Sequence, residues 1–355
     1  MPTYCKDFKC TASKCKDNCC IGWEIDIDAD TLAFYESVEG PFGEKLRKNI
    51  QKGEVSFFKL KGERCPFLNE NNLCEIITNL GENHLCQICR DHPRYFNWYR
   101  DFIEGGVGLC CEEGARLILT NDDGFKFYET ETDEDQGERY NKELLELLEA
   151  IRHKLIYLFI DRSYISLHTA ASKSLIYTFH AEKKITDGFT DDFPEYPEHI
   201  KANPAARARV CEEIFSLFKA LEPINGSWSE TAGRLYENRG ILQYSLQALQ
   251  NDERILSYLG NIAMYFLWRY FLPCVYHGEI YSAVFLTVIC LFGIASVMCL
   301  EKAAGTELTE EKCVEIAKDF SKQIEYSYEN LSMIFDAAYN NEVLSPENFA
   351  GLFES

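Results

Sequence analysis

Basic residues are scarce in this 355-residue chain, where 36 Lys and Arg stand against 57 Asp and Glu for a formal net charge of −21. That balance argues against a nucleic-acid backbone as partner, because such binding draws on clustered cations; a lysine-rich protein partner suits it better. No Gly-x-Gly-x-x-Gly follows an expected strand, and neither a Gly-Lys-Ser/Thr phosphate loop nor a Gly-x-Ser-x-Gly elbow occurs, so nucleotide folds and serine hydrolases lose their support. Glu104-Gly-Gly-Val-Gly-Leu109 only echoes the first of these. The Cys-x3-Cys-x2-Cys spacing of radical enzymes is missing too, since Gly22 stands where a third thiolate should follow Cys15 and Cys19. Met1 to Cys10 carries no apolar leader after its charged residues, which favours the cytoplasm and reduced thiols. One run, Ile280 to Leu300, is uncharged and as a helix would be about 30 Å long. Ser282, Thr287, Gly293 and Ser296 dilute it, and no cluster of Lys or Arg marks a cytoplasmic side, so a helix buried on all sides is expected rather than a membrane span.

Cysteine, by contrast, is abundant. Sixteen occur and eleven fall in the first 111 positions. Cys10-x4-Cys15-x3-Cys19-Cys20 is answered downstream by Cys65-Pro-Phe-Leu, Cys74, Cys86-x2-Cys89 and Cys111. In a reducing compartment, thiols grouped in this way point to metal rather than disulfides. Four of them can close a tetrahedral zinc site or hold an iron-sulfur cluster, and spacing alone leaves both open. The candidate ligands are Cys10, Cys15, Cys19, Cys20, Cys65, Cys74, Cys86, Cys89 and Cys111, with His84 a further possibility. That set exceeds four, so either two sites exist or some thiols support others. Cys211, Cys274, Cys290, Cys299 and Cys313 sit singly in helical stretches and read as buried free thiols.

The expected fold is mainly α: a small irregular cysteine-rich metal-binding domain of short helices and strands over 1–125, an acidic linker over 126–140, and an all-helical domain over 141–355. Trp23 to Asp28 and Glu54 to Leu60 alternate as strands, Asp30-Thr31 caps a short helix, and Asn69 to Asn72 turns the chain so that Cys65 and Cys74 approach. Residues 129–138 hold six acids and no base. Beyond them Leu144, Leu145, Leu148, Ile151, Leu155 and Leu158 recur at helical spacing. Further helices are expected over Tyr164 to Glu182, Glu230 to Asn251 and Glu253 to Phe271, and from Thr309 to about Asn340, with Pro194 and Pro197 in a loop.

Arg90-Asp91-His92-Pro93-Arg94-Tyr95 follows Cys89 and is dense in groups that bind anions or move protons. Arg90 and Arg94 equally suit compensation of metal-bound thiolates. The ordered set Cys10 to Trp23, Cys65 to Asn69, Leu73 to Ile76, Gly81 to Arg94 and Cys111 to Leu119 resembles the flagellin lysine-N-methylases, which are related to zinc- or iron-chelating cysteine-cluster proteins. Two departures are visible: Cys110 adds a thiol beside Cys111, and Glu112 stands in place of proline. The resemblance implies methyl transfer from S-adenosylmethionine to flagellin lysines in a bacterial cytoplasm, with a [4Fe-4S] cluster on the cysteine-rich part. His92 and Tyr95 are then the candidate catalytic groups, and Arg90 and Arg94 the candidate cofactor-binding groups. The alternative is a non-catalytic zinc- or iron-binding module whose helical domain docks a partner.

Overall fold

The computed structural model describes residues 1–21, 25–62, 64–124, 126–131, 137–161, 165–188, 201–224 and 226–354. Trp23, residues 132–136 of the acidic run, Tyr164, Pro194 and Pro197 lie outside these. In the first third the elements are short. Strand β1 (Asp26–Ile27), helices α1 (Ala29–Ser37) and α2 (Gly40–Asn49), and strands β2 (Ile50–Gln51) and β3 (Ser56–Phe58) make an antiparallel sheet of order β1-β3-β2 flanked by two helices. The cap of α1 is Asp28, whose carboxylate accepts the Thr31 N–H at 2.9 Å, so the helix starts two residues earlier than Asp30-Thr31 suggests.

Helix α3 (Glu75–Leu80) ends at Gly81, which adopts φ 96°, a left-handed value that favours glycine. Helix α4 (Gln87–Asp91) follows, then the hairpin of β4 (Arg94–Trp98) and β5 (Ile103–Val107), and α5 (Glu112–Leu119). The glycines that echo a nucleotide loop serve this hairpin instead. A Cβ at Gly106 would lie 2.5 Å from the Tyr95 hydroxyl, and one at Gly105 3.0 Å from the Phe96 ring, so both positions must stay bare for β4 aromatics to cross β5.

From residue 142 the described residues are mainly helical: α6 (Lys142–Ile160), α7 (Leu167–Thr186), α8 (Arg207–Ala220), α9 (Trp228–Glu237), α10 (Arg239–Leu242), α11 (Ser245–Ala248), α12 (Glu253–Tyr270), α13 (Ile280–Ala303), α14 (Glu310–Glu325), α15 (Tyr328–Asn340) and α16 (Pro346–Gly351). Helix α13 is apolar on every face and lies buried in the middle of this body. Two expected helices are divided. The stretch from Glu230 breaks where the Asn238 amide caps the Arg234 carbonyl at 2.8 Å. The helix expected from Thr309 to Asn340 stops at Tyr326, and Ser327 restarts it by accepting the Asn330 N–H at 3.2 Å.

The described residues form two apolar cores. The smaller joins Ile25, Ile27, Tyr35, Leu46, Phe58 and Phe67 to the thiols of Cys65 and Cys86. The larger holds the helices, and it also takes in Tyr4, Phe8, Tyr99, Val107, Leu109 and Leu117 to Leu119.

Candidate functional site

Five thiols border the smaller core, Cys65 and Cys86 buried in it and Cys20, Cys74 and Cys89 packed against it, with Cys19 next to Cys20 in the chain. The Cys65 N–H donates to the Cys20 carbonyl at 2.8 Å, tying two separate loops together. Asn69 closes the turn that pairs Leu68 with Cys74, its side-chain oxygen accepting the N–H groups of Asn71 and Leu73 at 2.9 and 3.0 Å. Cys86 precedes α4 and Cys89 lies one turn into it, with sulfurs 3.4 Å apart. Cys19 and Cys20 form a second adjacent pair. Hydrogen bonding from Cys20 holds Cys19 down at about 7, whereas the same bond and burial push Cys20 up. Burial pushes Cys65 up to about 12, and the charges of Cys74, Cys86 and Cys19 add to it. Negative charge on one of these thiols therefore disfavours it on its neighbours in the group.

Three more cysteines, and His84, behave differently. Burial raises Cys111 to about 12, with Cys110 and Cys15 contributing, and the Cys15 thiol donates to Glu112 at 3.3 Å. Cys10 is exposed and its sulfur accepts the Ala12 N–H at 3.4 Å. The ring of His84 stacks on Phe34 at 4.3 Å. Among the described residues no three His, Cys, Asp or Glu side chains converge closely enough to hold one ion. The donor set fits a thiophilic metal in kind, as soft sulfurs drawn up in pairs on a mostly apolar wall, while its third and fourth ligands do not meet at a point.

An open cleft of about 570 Å³ lies against this wall, because α4 faces the thiols on one side and the cleft on the other. Asp28, Asp91, His92, Arg94, Phe96 and Trp98 line it. Both oxygens of Asp28 are engaged, by Thr31 N–H and by Gln87 N–H at 2.7 Å, so this carboxylate fixes α4 to α1. Of the charged candidates, Arg94 contributes to the cleft lining, while its guanidinium packs 4.9 Å over the Phe8 ring of the larger core. Arg90 instead donates to the Gln87 side chain at 2.6 Å on the exposed face of α4. His92 is held near 4 by burial, with Lys322 and Arg269 adding to the shift, so its imidazole is neutral at ordinary pH. Tyr95 lines the cleft, but its ring meets the helical body: Tyr265 lies edge-on at 6.0 Å and Arg269 stacks at 4.5 Å. Among the described residues the buried Tyr95 hydroxyl has no hydrogen-bond partner.

Helix α14 supplies residues that the sequence patterns did not single out. Asp17, between Cys15 and Cys19, pairs with Lys322 and with Lys318 at 3.0 Å. Burial alone would raise its carboxyl, but the two ammonium groups outweigh that and hold it near 2. One turn beyond Lys322, Tyr326 faces the Cys110 thiol and meets His92 edge-on at 6.4 Å. Glu325, with its side chain 1% exposed, is tied to Arg269 at 3.1 Å and accepts from Tyr265 and Tyr270 at 2.9 and 2.8 Å. A signal was present, since Lys318 and Lys322 interrupt the apolar positions Cys313, Ala317, Phe320 and Ile324 at helical spacing.

Residues 152–352 match the model of the FliB lysine N-methylase C-terminal domain, which is more than half of the chain. The chain belongs to this family. It is 28% identical over 137 residues to the lysine-N-methylases of Salmonella choleraesuis and Salmonella typhimurium, a stretch covering 36% of this chain and 34% of each relative. It is also 28% identical over 131 residues to the flagellar biosynthetic protein FliU of Salmonella muenchen, covering 34% of this chain and 77% of that protein. The match therefore spans about a third of the length of the two lysine-N-methylases. No solved structure matches. Within this FliB-family chain, Arg269, Lys318, Lys322, Glu325 and Tyr326 lie in the matched C-terminal domain and the clustered thiols before it, so both segments build the site.

Proposed function

We propose that this chain is a protein-lysine N-methyltransferase of the bacterial cytoplasm that acts on flagellin with S-adenosylmethionine as methyl donor. In this reading a [4Fe-4S] cluster, or alternatively zinc, is held by thiols drawn from Cys10, Cys15, Cys19, Cys20, Cys65, Cys74, Cys86, Cys89 and Cys111. Family membership and the names of the Salmonella relatives support the activity. The observation that carries the site is the sharing of α4 between the thiol wall and the cleft of about 570 Å³.

S-adenosylmethionine supplies an electrophilic methyl group on sulfonium; the C–S bond breaks as the lysine nitrogen forms its bond to carbon, and one proton leaves that nitrogen. The cleft suits such a substrate. Asp26 and Asp91 in its lining favour a cation, and the faces of Phe96 and Trp98 accept its methylene chain. Arg94 is placed for the anionic end of a cofactor. A lysine ammonium titrates near 10.4, so handing its proton to His92, held near 4, would be uphill by about 9 kcal/mol. His92 therefore serves as a neutral hydrogen-bonding group, and the proton leaves by another route. The tight positioning that methyl transfer demands falls to the rigid hairpin β4–β5 and to α4.

The test is anaerobic purification with metal analysis, followed by incubation with flagellin and S-adenosylmethionine and mass spectrometry of the flagellin lysines. Methylated lysines from a brown, iron-bearing protein support the reading. A colourless zinc protein that binds no S-adenosylmethionine in calorimetry and leaves flagellin unmodified would replace it with the non-catalytic metal-binding module.

A further inference from the structure

Strand β4 presents two different faces. Tyr95 and Asn97 turn to the helical body, Tyr95 against the Arg269 guanidinium at 4.5 Å and Asn97 by donating its side-chain amide to the Arg269 carbonyl at 2.9 Å. The alternate residues Phe96 and Trp98 take the opposite side and line the cleft. Their rings lie 6.2 Å apart at 52° to each other, two tilted walls rather than one flat surface. Phe96 stays 37% exposed, so its ring face is open to a ligand. Gly105, its partner on β5, leaves no room between them, since a Cβ there would meet the ring at 3.0 Å; this closeness fixes where the ring lies. The charge beside the two rings is negative. Asp26 and Asp91 line the same cleft, and among the described residues neither forms an ion pair; Asp91 accepts the Gln87 side-chain amide at 2.6 Å. The Arg94 guanidinium, which would neutralise them, packs instead over Phe8.

Walls of this kind suit a cation with apolar bulk. A lysine ammonium is a compact charge with three N–H donors and is strongly hydrated. Each N-methyl group replaces one donor by a carbon that shares the charge, weakens hydration and packs on a ring face. Where two rings and unpaired carboxylates stand together, the best fit keeps at least one N–H for a carboxylate and carries at least one methyl for a ring. We propose that the cleft discriminates the methylation state of the lysine it holds, binding mono- and dimethyl-lysine side chains of a protein more tightly than unmodified lysine, with Phe96 and Trp98 as the specificity-determining residues. This deepens the reading that the cleft takes a lysine side chain, and rests on it. A site so built holds on to a lysine that already carries a methyl group.

The test uses the purified full chain and one short fluorescein-labelled peptide made with its lysine unmodified, mono-, di- or trimethylated, titrated by fluorescence anisotropy. Wild type should bind the mono- and dimethyl peptides about 3- to 5-fold more tightly than the unmodified one. Phe96→Leu with Trp98→Leu keeps apolar bulk without ring faces and should bring these affinities together, whereas Phe96→Tyr with Trp98→Phe should retain the preference. Asp26→Asn with Asp91→Asn should weaken the trimethyl peptide least, because it has no N–H to give. If the leucine pair fails to fold by circular dichroism, displacement of the dimethyl peptide from wild type by tetramethylammonium, compared with ammonium at equal ionic strength, carries the comparison. Displacement at a lower concentration of tetramethylammonium supports the assignment, and equal displacement overturns it. Wild type that binds all four peptides equally or none of them, or a preference that survives the leucine pair, overturns it too. Incubating the same wild type with flagellin and S-adenosylmethionine keeps the two readings apart. Discrimination without flagellin methylation leaves this inference standing and removes the transferase, and methylation without discrimination does the reverse.

Discussion

The guanidinium of Arg152 on α6 holds the carboxylate of Glu104 on β5 through two hydrogen bonds of 2.8 and 2.7 Å, with side chains 2% and 8% exposed. The Trp268 ring covers the same guanidinium at 4.3 Å, so hairpin, α6 and α12 meet at one charged pair inside the larger core. Its geometry is bidentate, which is the condition under which a buried pair offsets its own desolvation. Arg152→Ala strands a buried carboxylate and should cost about 3–5 kcal/mol in urea unfolding. The double replacement Arg152→Met with Glu104→Leu should cost much less. A double variant as unstable as the single one would mean that the pair itself, rather than the orphaned charge, holds the hairpin in place.

Gly106 admits no side chain, because a Cβ there would sit 2.5 and 2.6 Å from the Tyr95 hydroxyl oxygen and ring carbon. Gly106→Ala should destabilise by about 1–3 kcal/mol through overpacking. In a Tyr95→Ala background the further loss should shrink toward zero. Thermal melts of the four chains complete the cycle, and additive losses would show that the two residues do not collide.

Acid should loosen α14 from the cysteine loop. The folded Asp17 titrates near 2 against an ordinary value of 3.8, a lowered value, so its contribution is fully present above about pH 4. It is lost as pH falls from there through 2. With part of the side chain open to solvent, the effect should be about 1–2 kcal/mol. Stability measured from pH 6 down to pH 2 should fall more steeply in the wild type than in Asp17→Asn. Parallel curves would remove the ion pairs from any account of acid sensitivity.

The cleft residues should divide by position. In the proposed methylation of flagellin, Arg94→Ala should lower kcat/KM by about 10-fold or more, equivalent to ~1.4 kcal/mol of transition-state stabilisation. Arg90→Ala should stay near wild type, since the Arg90 side chain is bonded to Gln87 and does not itself line the cleft among the described residues. Because His92 is already neutral above pH 5, the pH–rate profiles of wild type and His92→Gln should share one shape between pH 6 and 9, whatever their heights. An inflection near 6.5 present only in the wild type would contradict this placement of His92.

Local patterns are legible in the order of residues. The turn at Asn69 follows from an Asn-rich stretch between two apolar residues, and the three-residue spacing of Cys86 and Cys89 puts their sulfurs together wherever the chain goes. The charge-free run of α13 announces a helix hidden on every side, and it is buried at the centre of the helical body. Such features depend on a handful of neighbours along the chain, and backbone geometry alone dictates them.

What lies beyond the reach of such patterns is contact at long range. Two lysines of α14 meet Asp17 some three hundred positions away, Tyr95 turns its ring under Arg269, and residues at both ends of the cysteine-rich stretch share the helical core. Their periodicity marks Lys318 and Lys322 as misplaced on an apolar stripe without naming an anion for them. The amino-acid order by itself determined helical character, a cysteine-dense beginning and the spacing of its thiol pairs. Only the tertiary packing decided which charges were buried together, because desolvation depends on every element that closes over a group rather than on its neighbours in sequence.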